Sequence, residues 1–145
     1  MQKYFFAILL FSVFSCNKIE NHHSLNKEDI VFIKSLGLLE PDENIYKFYS
    51  EDTKQTAGNF FTNKRVATYW IDKRNPENNQ LKYAFYKDIV KIDTGKRAGA
   101  TYCPYALITA KDNTKFEVSV DGSNQDIKSF FKDLLIEWKK NTVIK

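Results

Sequence analysis

The chain has 145 residues, with 22 Lys or Arg against 18 Asp or Glu and a formal net charge of +4. That length suits one domain with a real core and is short for two. The charge is mild and spread along the chain, with no block of like charges, which excludes a basic nucleic-acid arm. Aromatic residues, at 15%, favour strands and large buried side chains.

The first element is a leader. Lys3 gives it a positive start, and Phe5 to Phe14 (FFAILLFSVF) is apolar and uncharged. A helix of that length rises only about 15 Å, half of a hydrocarbon core of about 30 Å. It is too short to span and reads as a secretory signal over 1–15. Ser15-Cys16, with Val13 three residues before the cysteine, resembles the bacterial lipobox. That resemblance implies that the Cys16 thiol takes a diacylglycerol, that the leader is cut before it, and that the new amine is often acylated. One acyl chain holds a protein only marginally, whereas two or more hold it for practical purposes permanently. The mature chain loses one charged residue, Lys3, and keeps a net charge of +3. In diderm bacteria an Asp just after the lipidated cysteine tends to hold lipoproteins at the inner membrane. Asn17 stands in that place, so the outer membrane is favoured.

Residues 16–24 read as a lipidated tether, polar and unpatterned from Asn17 to Ser24. His22 and His23 are adjacent, so their rings do not easily face one tetrahedral metal site, and they read as solvated. The folded domain is expected over 25–145. Asn26 can cap a helix, with Glu28 and Asp29 in its first turn, Ile30, Ile33 and Leu36 on one face, and Gly37 ending it. A turn at Pro41-Asp42 leads into an extended run over 44–50. From there to Asp121 the pattern is strand and turn.

"AGNFFTNKRVATYWID" holds two aromatic-rich runs around a turn at Thr62-Asn63-Lys64, and Lys73 to Gln80 is a polar loop. Strands follow at Leu81 to Tyr86 and Ile89 to Asp93, the second with Ile89 and Lys91 facing opposite to Val90 and Ile92. Gly95 to Ala100 reads as a turn or loop. "TYCPYALITA" is a run in which Pro104 cannot donate a ladder hydrogen bond, so an edge or bulge is expected there. "KFEVSVD" alternates, with Phe116, Val118 and Val120 on one face. Ser123 with Asp126 three residues on starts a final helix to Lys140, whose apolar stripe runs from Ile127 through Phe130, Phe131, Leu134 and Leu135 to Trp138.

The residue inventory argues against an enzyme. The domain after Ser24 has no histidine, which removes Ser–His and Cys–His pairs and most zinc sites. There is no Gly-rich phosphate loop, no cofactor is implied, and Asp88 and Asp93 read as strand-end residues. With Cys16 lipidated, Cys103 has no partner for a disulfide. "TYCPYA" carries Ala106 where a redox motif would place its second cysteine, and Cys103 reads as a small buried hydrophobe in a strand.

Several short antiparallel strands followed by one amphipathic helix are the order of the pleckstrin-homology (PH) fold. "GNFFTNKRVATYWID" resembles the second and third strands of bacterial PH-like and GRAM-like domains, where "hFhTnkRhhhh" (h for hydrophobic) is typical. "YAFYKDIVKID" is similar to their following stretch and "LITAKDNTKFEVSV" to their penultimate hairpin, so the resemblance spans roughly Glu40 to Lys140. It implies a mainly β, partly open barrel of two nearly orthogonal antiparallel sheets, with six or seven strands and the C-terminal helix plugging one end.

PH-like folds bind lipids, peptides or other domains, so the function is argued from the site. The first hairpin loop, "SEDTKQTAG", sets Glu51 and Asp52 against Lys54 and does not match a phosphoinositide grip. The expected role is a non-catalytic binding module for a protein or peptide at the cell envelope, anchored to the membrane through Cys16 and binding no nucleic acid. The alternative is a lipid or small ligand held in the barrel. Candidate contacts are the sheet edge at Pro104 and the basic pairs Lys64-Arg65, Lys73-Arg74 and Lys96-Arg97. The last is the first choice, because Gly95 and Gly99 flank it.

Overall fold

A computed structural model describes residues 19–96 and 103–142. Helix α1 covers Lys27–Ser35, and Asn26 caps it: its Oδ1 accepts from the Asp29 amide at 2.7 Å. At the other end Gly37 adopts φ +73°, a conformation that costs glycine little. There the Gly37 amide donates to the Lys34 carbonyl at 2.9 Å and the Leu38 amide to the Ile33 carbonyl at 3.4 Å, a Schellman closure. Ile33 on the helix, then Leu38 and Leu39, are buried.

Among the described residues seven strands follow: β1 Ile45–Tyr49, β2 Ala57–Thr62, β3 Arg65–Trp70, β4 Gln80–Phe85, β5 Ile89–Lys96, β6 Pro104–Ala110 and β7 Lys115–Ser119. Helix α2, Asn124–Thr142, closes the order. The strands form two antiparallel sheets, β1-β2-β3-β4 and β5-β6-β7, which make an open barrel rather than a closed one. Two cores result. Phe48, Phe60, Ala67 and Tyr69 pack under α1 and the Leu38-Leu39 segment. Phe61, Val66, Ile92, Ile108 and Val118 pack under α2 through its Phe130, Phe131 and Leu134. Phe61 and Phe130 meet edge to face at 5.1 Å.

Asn59, 3% exposed in the middle of β2, joins the two sheets. Its Oδ1 accepts from the Ser119 amide at 3.1 Å and the Thr68 hydroxyl at 2.9 Å. The first helix, the Asn63 hairpin and the alternation of β7 match the sequence reading, as does the Ser123 cap, where the Asp126 amide donates to Ser123 Oγ at 3.1 Å.

Three local expectations are corrected. A bulge between Ile89 and Lys91 restarts the alternation, so Ile89 and Ile92 both face the core and Val90 is 53% exposed. β6 is the central strand of its sheet, not an edge: Pro104 is its first residue, where a missing amide costs no interior ladder bond. Gly95 and Lys96 belong to β5, paired with Tyr105 and Pro104, rather than to a loop.

The chain is also fixed earlier than the expected tether implies. Glu20 exchanges two backbone bonds of 2.8 Å with Phe48 on β1, and the His22 amide donates to the Ile45 carbonyl at 2.9 Å. His22 Nδ1 accepts from the Ile45 amide at 3.4 Å. Its pKa is lowered, first by burial and then by the charges of His23 and Lys34.

Candidate functional site

The basic residues named from the sequence separate into two groups once placed. Lys64 and Arg65 follow the hairpin turn into β3, and both are consumed inside the domain. Arg65 is 2% exposed; its Nε donates to Glu43 Oε1 at 2.9 Å and its Nη2 to Glu43 Oε2 at 2.8 Å. The guanidinium carbon lies 4.5 Å from the Phe85 ring centre and 5.0 Å from that of Tyr83. Lys64 Nζ bonds Glu40 at 2.8 Å and Asp42 at 2.9 Å. Its hydrogen bonds hold both carboxyls below their ordinary range, and theirs raise the Lys64 ammonium. These bonds tie the hairpin to the segment after α1.

The first hairpin loop is occupied as well. Lys54 Nζ lies 2.6 Å from Glu20 and 3.2 Å from the buried carboxylate of Asp29. Its pKa is raised overall: burial, the largest cause, lowers it, but hydrogen bonds to Glu20 and Asp29 outweigh that. Lys73 and Arg74 stay exposed in the loop before β4, where Asp72 Oδ1 accepts from the Arg74 amide at 2.8 Å. Cys103 is half-buried just before β6 rather than inside a strand, with its thiol 3.8 Å from the Pro104 carbonyl. Cys16 and Arg97 lie outside the described residues.

Lys96 stands in a different setting. The inner face of β5 carries Ile92 in the core, then Thr94, then Lys96 at the strand's end, opposite Pro104 on β6. Across from them α2 presents Ile127, Phe131 and Leu135. Where the large aliphatic side chains of the sheet give way to Thr94, the helix and the sheet no longer fill the space between them. A groove of about 780 Å³ is left, floored by these apolar side chains. Its rim holds Lys96, Lys128, Lys132 and Lys139, and among the described residues that line it none is acidic. At the far end of β5 the Trp138 indole N–H donates to the Ile89 carbonyl at 3.3 Å and holds helix to strand.

The helix lysines were not singled out from the sequence. Lys128 and Lys132 sit one turn apart, and Lys139 follows two turns later beside exposed Ile136. A helical wheel of α2 groups them on one flank of the apolar stripe, a signal available in the sequence. What the wheel cannot tell is which lysines find carboxylates. Lys47 of β1 pairs with Asp133 on the opposite flank at 2.7 Å. Among the described residues, Lys128, Lys132 and Lys139 pair with no carboxylate.

No protein-family profile matches the chain, and no curated protein is significantly similar to it. Among solved structures, it is similar to a DUF1696 family protein with a pleckstrin-homology domain from Shewanella loihica. The TM-score is 0.50 at 11% identity, over 86% of this chain and 97% of that one. A pleckstrin-homology domain from Shewanella amazonensis aligns with a TM-score of 0.43 at 12% identity, over 70% and 95% of the two chains. The architecture and the first of these likenesses define a PH-like fold.

Proposed function

We propose that this chain is a lipid-anchored, non-catalytic binding module of the cell envelope, and that its partner is a protein or peptide seated in the groove between α2 and β5. The observation that carries this reading is the groove itself, an apolar floor with a lysine rim and, among the described residues, no acidic lining. Its volume of about 780 Å³ is in the usual range of a ligand seat. The leader and Cys16 supply the anchor, and Asn17 favours the outer membrane. With Glu20 already bridged to β1, few residues separate the lipid from the fold, so the domain works close to the bilayer. The alternative, a lipid inside the barrel, gains no support from an interior where Phe48 stacks on Phe60 at 5.9 Å and Phe61 meets Phe130.

The test is in the native envelope. Metabolic labelling with an alkyne fatty acid is expected to mark the protein and to fail in Cys16→Ser. A photo-crosslinker replacing Lys132 is expected to capture one reproducible protein, and the same probe replacing Lys73 is not. Labelling that survives Cys16→Ser removes the anchor, and equal capture from both positions removes the groove.

A further inference from the structure

We infer, resting on the lipid-anchor half of the reading above, that the outward face of α2 is the surface this domain lays on an anionic bilayer. Two independent observations carry this. The first is where the anchor leaves the fold. Ile19 packs against the core under α2 and shares a shallow depression with Glu20 and Tyr46 on one side and Asp126 and Ser129 of α2 on the other. Only Asn17 and Lys18 stand between Cys16 and Ile19, so the two are at most about 11 Å apart. An acylated Cys16 therefore keeps the first turns of α2 close to the lipid headgroups.

The second observation is the charge of the helix. Lys128, Lys132, Ile136 and Lys139 recur at helical spacing and form one stripe along α2. All four are exposed, whereas Phe130, Phe131 and Leu134 are buried against the sheets. Among the described residues the three lysines pair with no carboxylate. The acidic residues of α2 lie on its other flank and are engaged: Asp133 with Lys47 at 2.7 Å, Glu137 with Lys140 at 3.6 Å, and Asp126 with the Ser123 hydroxyl at 2.6 Å.

The anchor alone leaves the domain free to pivot, and charge decides which side goes down. The other surface beside the exit is the first hairpin loop, to which Glu20 is tied through Lys54 at 2.6 Å, and Glu51 and Asp52 stand exposed there. An anionic bilayer repels that loop and attracts the lysine stripe, by roughly fivefold for each lysine brought to the surface. The attraction fades within about 8 Å in physiological salt, so it acts on a face already held near the headgroups, as this one is. The lysine stems lie along the interface with their ammonium groups at the phosphates, and exposed Ile136 rests between them. The groove floor keeps its place: Ile127, Phe131 and Leu135 line the space beside β5.

The test uses the mature chain, its acyl group on Cys16 verified by mass spectrometry, in nanodiscs whose lipids carry a headgroup spin label. The lipid is phosphatidylcholine, alone or mixed with phosphatidylglycerol. An encoded fluorescent amino acid replaces either Ile136 on α2 or Val31 on α1, both exposed, on helices that cover opposite faces of the first sheet. With phosphatidylglycerol present, the probe at Ile136 is expected to be quenched severalfold more than the probe at Val31. The triple substitution Lys128→Glu, Lys132→Glu and Lys139→Glu is expected to abolish that difference, as are phosphatidylcholine alone and high salt. All three lysines are exposed, so the thermal melt is expected to stay unchanged. Equal quenching at the two positions, stronger quenching at Val31, or a difference that survives the triple substitution overturns the inference, while acylated Cys16 leaves the anchor standing. A chain that carries no acyl group on Cys16 overturns the anchor and this inference with it.

Discussion

Arg65 and Glu43 form a two-pronged ion pair at 2.9 and 2.8 Å, with both residues almost wholly removed from water. Glu43 Oε2 also accepts from the Glu40 amide at 3.0 Å, and Oε1 accepts from the Thr62 hydroxyl at 2.5 Å. Every oxygen of the carboxylate is thus committed, and the guanidinium is roofed by Tyr83 and Phe85 of β4. The pair pins the segment after α1 to the β2–β3 hairpin, so its value is in fixing the fold.

Removing Arg65 leaves the buried Glu43 carboxylate without a cation, and removing Glu43 leaves the buried guanidinium with only the half-exposed Glu40 at 3.2 Å. Glu43→Ala is expected to cost about 3–5 kcal/mol in chemical denaturation, and Arg65→Lys to lose much of the same because an ammonium cannot reproduce the fork. Replacing both residues with Leu and Met is expected to recover most of the loss. Partner capture by the groove is expected to persist in the double variant. A single variant with unchanged stability would contradict the buried-pair account.

The α2 cap gives a smaller and more local expectation. Ser123 Oγ bonds both the Asp126 amide and the Asp126 carboxylate, the latter at 2.6 Å. Ser123→Ala is expected to cost about 1 kcal/mol, and Ser123→Asp to retain most of the cap. A thermal melt of the three proteins measures this directly. Because α2 also forms one wall of the groove, the alanine variant is expected to lower the proposed partner capture at Lys132 only through the loss of folded protein.

The sequence made the local features readable because their causes are local. The Asn26 and Ser123 caps, the Asn63 hairpin and the alternation of Phe116 and Val118 each depend on neighbours a few residues away. What was not readable depends on distance. Glu43 lies 22 residues before Arg65, and nothing between them announces that the pair will be buried. Pro104 looked like an edge signal, yet a strand's first residue satisfies the same constraint, and only the pairing of β6 with both β5 and β7 distinguishes the two. The glycines flanking Lys96-Arg97 point to a loop, yet Lys96 ends a strand, and it shares a groove with the helix lysines only because α2 packs back over β5. The bulge after Ile89 escaped a strict two-residue period, which cannot represent an inserted residue.

Gly58 is expected to resist any side chain. It pairs with Tyr69 across β2 and β3, and a Cβ there would collide with the Tyr69 ring. The ring cannot swing away cheaply: its hydroxyl donates to the Lys54 carbonyl at 2.5 Å, and Phe32 and Phe60 flank it at 6.0 and 6.4 Å. Gly58→Ala is expected to destabilise by about 1–3 kcal/mol, the usual cost of overpacking. Combining it with Tyr69→Leu is expected to be less damaging than the sum of the two single changes. Strict additivity in that double-mutant cycle would show that the contact does not limit the site.

Buried tyrosines set the alkaline limit of the fold. Burial pushes the Tyr49 phenol up to about 12, with the charges of Asp121 and Glu51 adding to it. Tyr69 and Tyr86 are raised further by the same dominant cause, and the Tyr86 hydroxyl donates to the Thr62 carbonyl at 2.7 Å. A phenol whose folded pKa lies above its unfolded value of about 10 keeps its proton in the native state and loses it in the unfolded one. Its contribution is complete below pH 10 and declines as pH rises from there towards the folded pKa. Stability measured by urea denaturation is therefore expected to be flat with respect to these groups up to about pH 10 and to fall above it. Absorbance at 295 nm is expected to show these three buried phenols ionising only together with loss of the far-ultraviolet signal. Ionisation of all the tyrosines in one reversible step near pH 10, with the fold intact, would mean that these three phenols are reached by water.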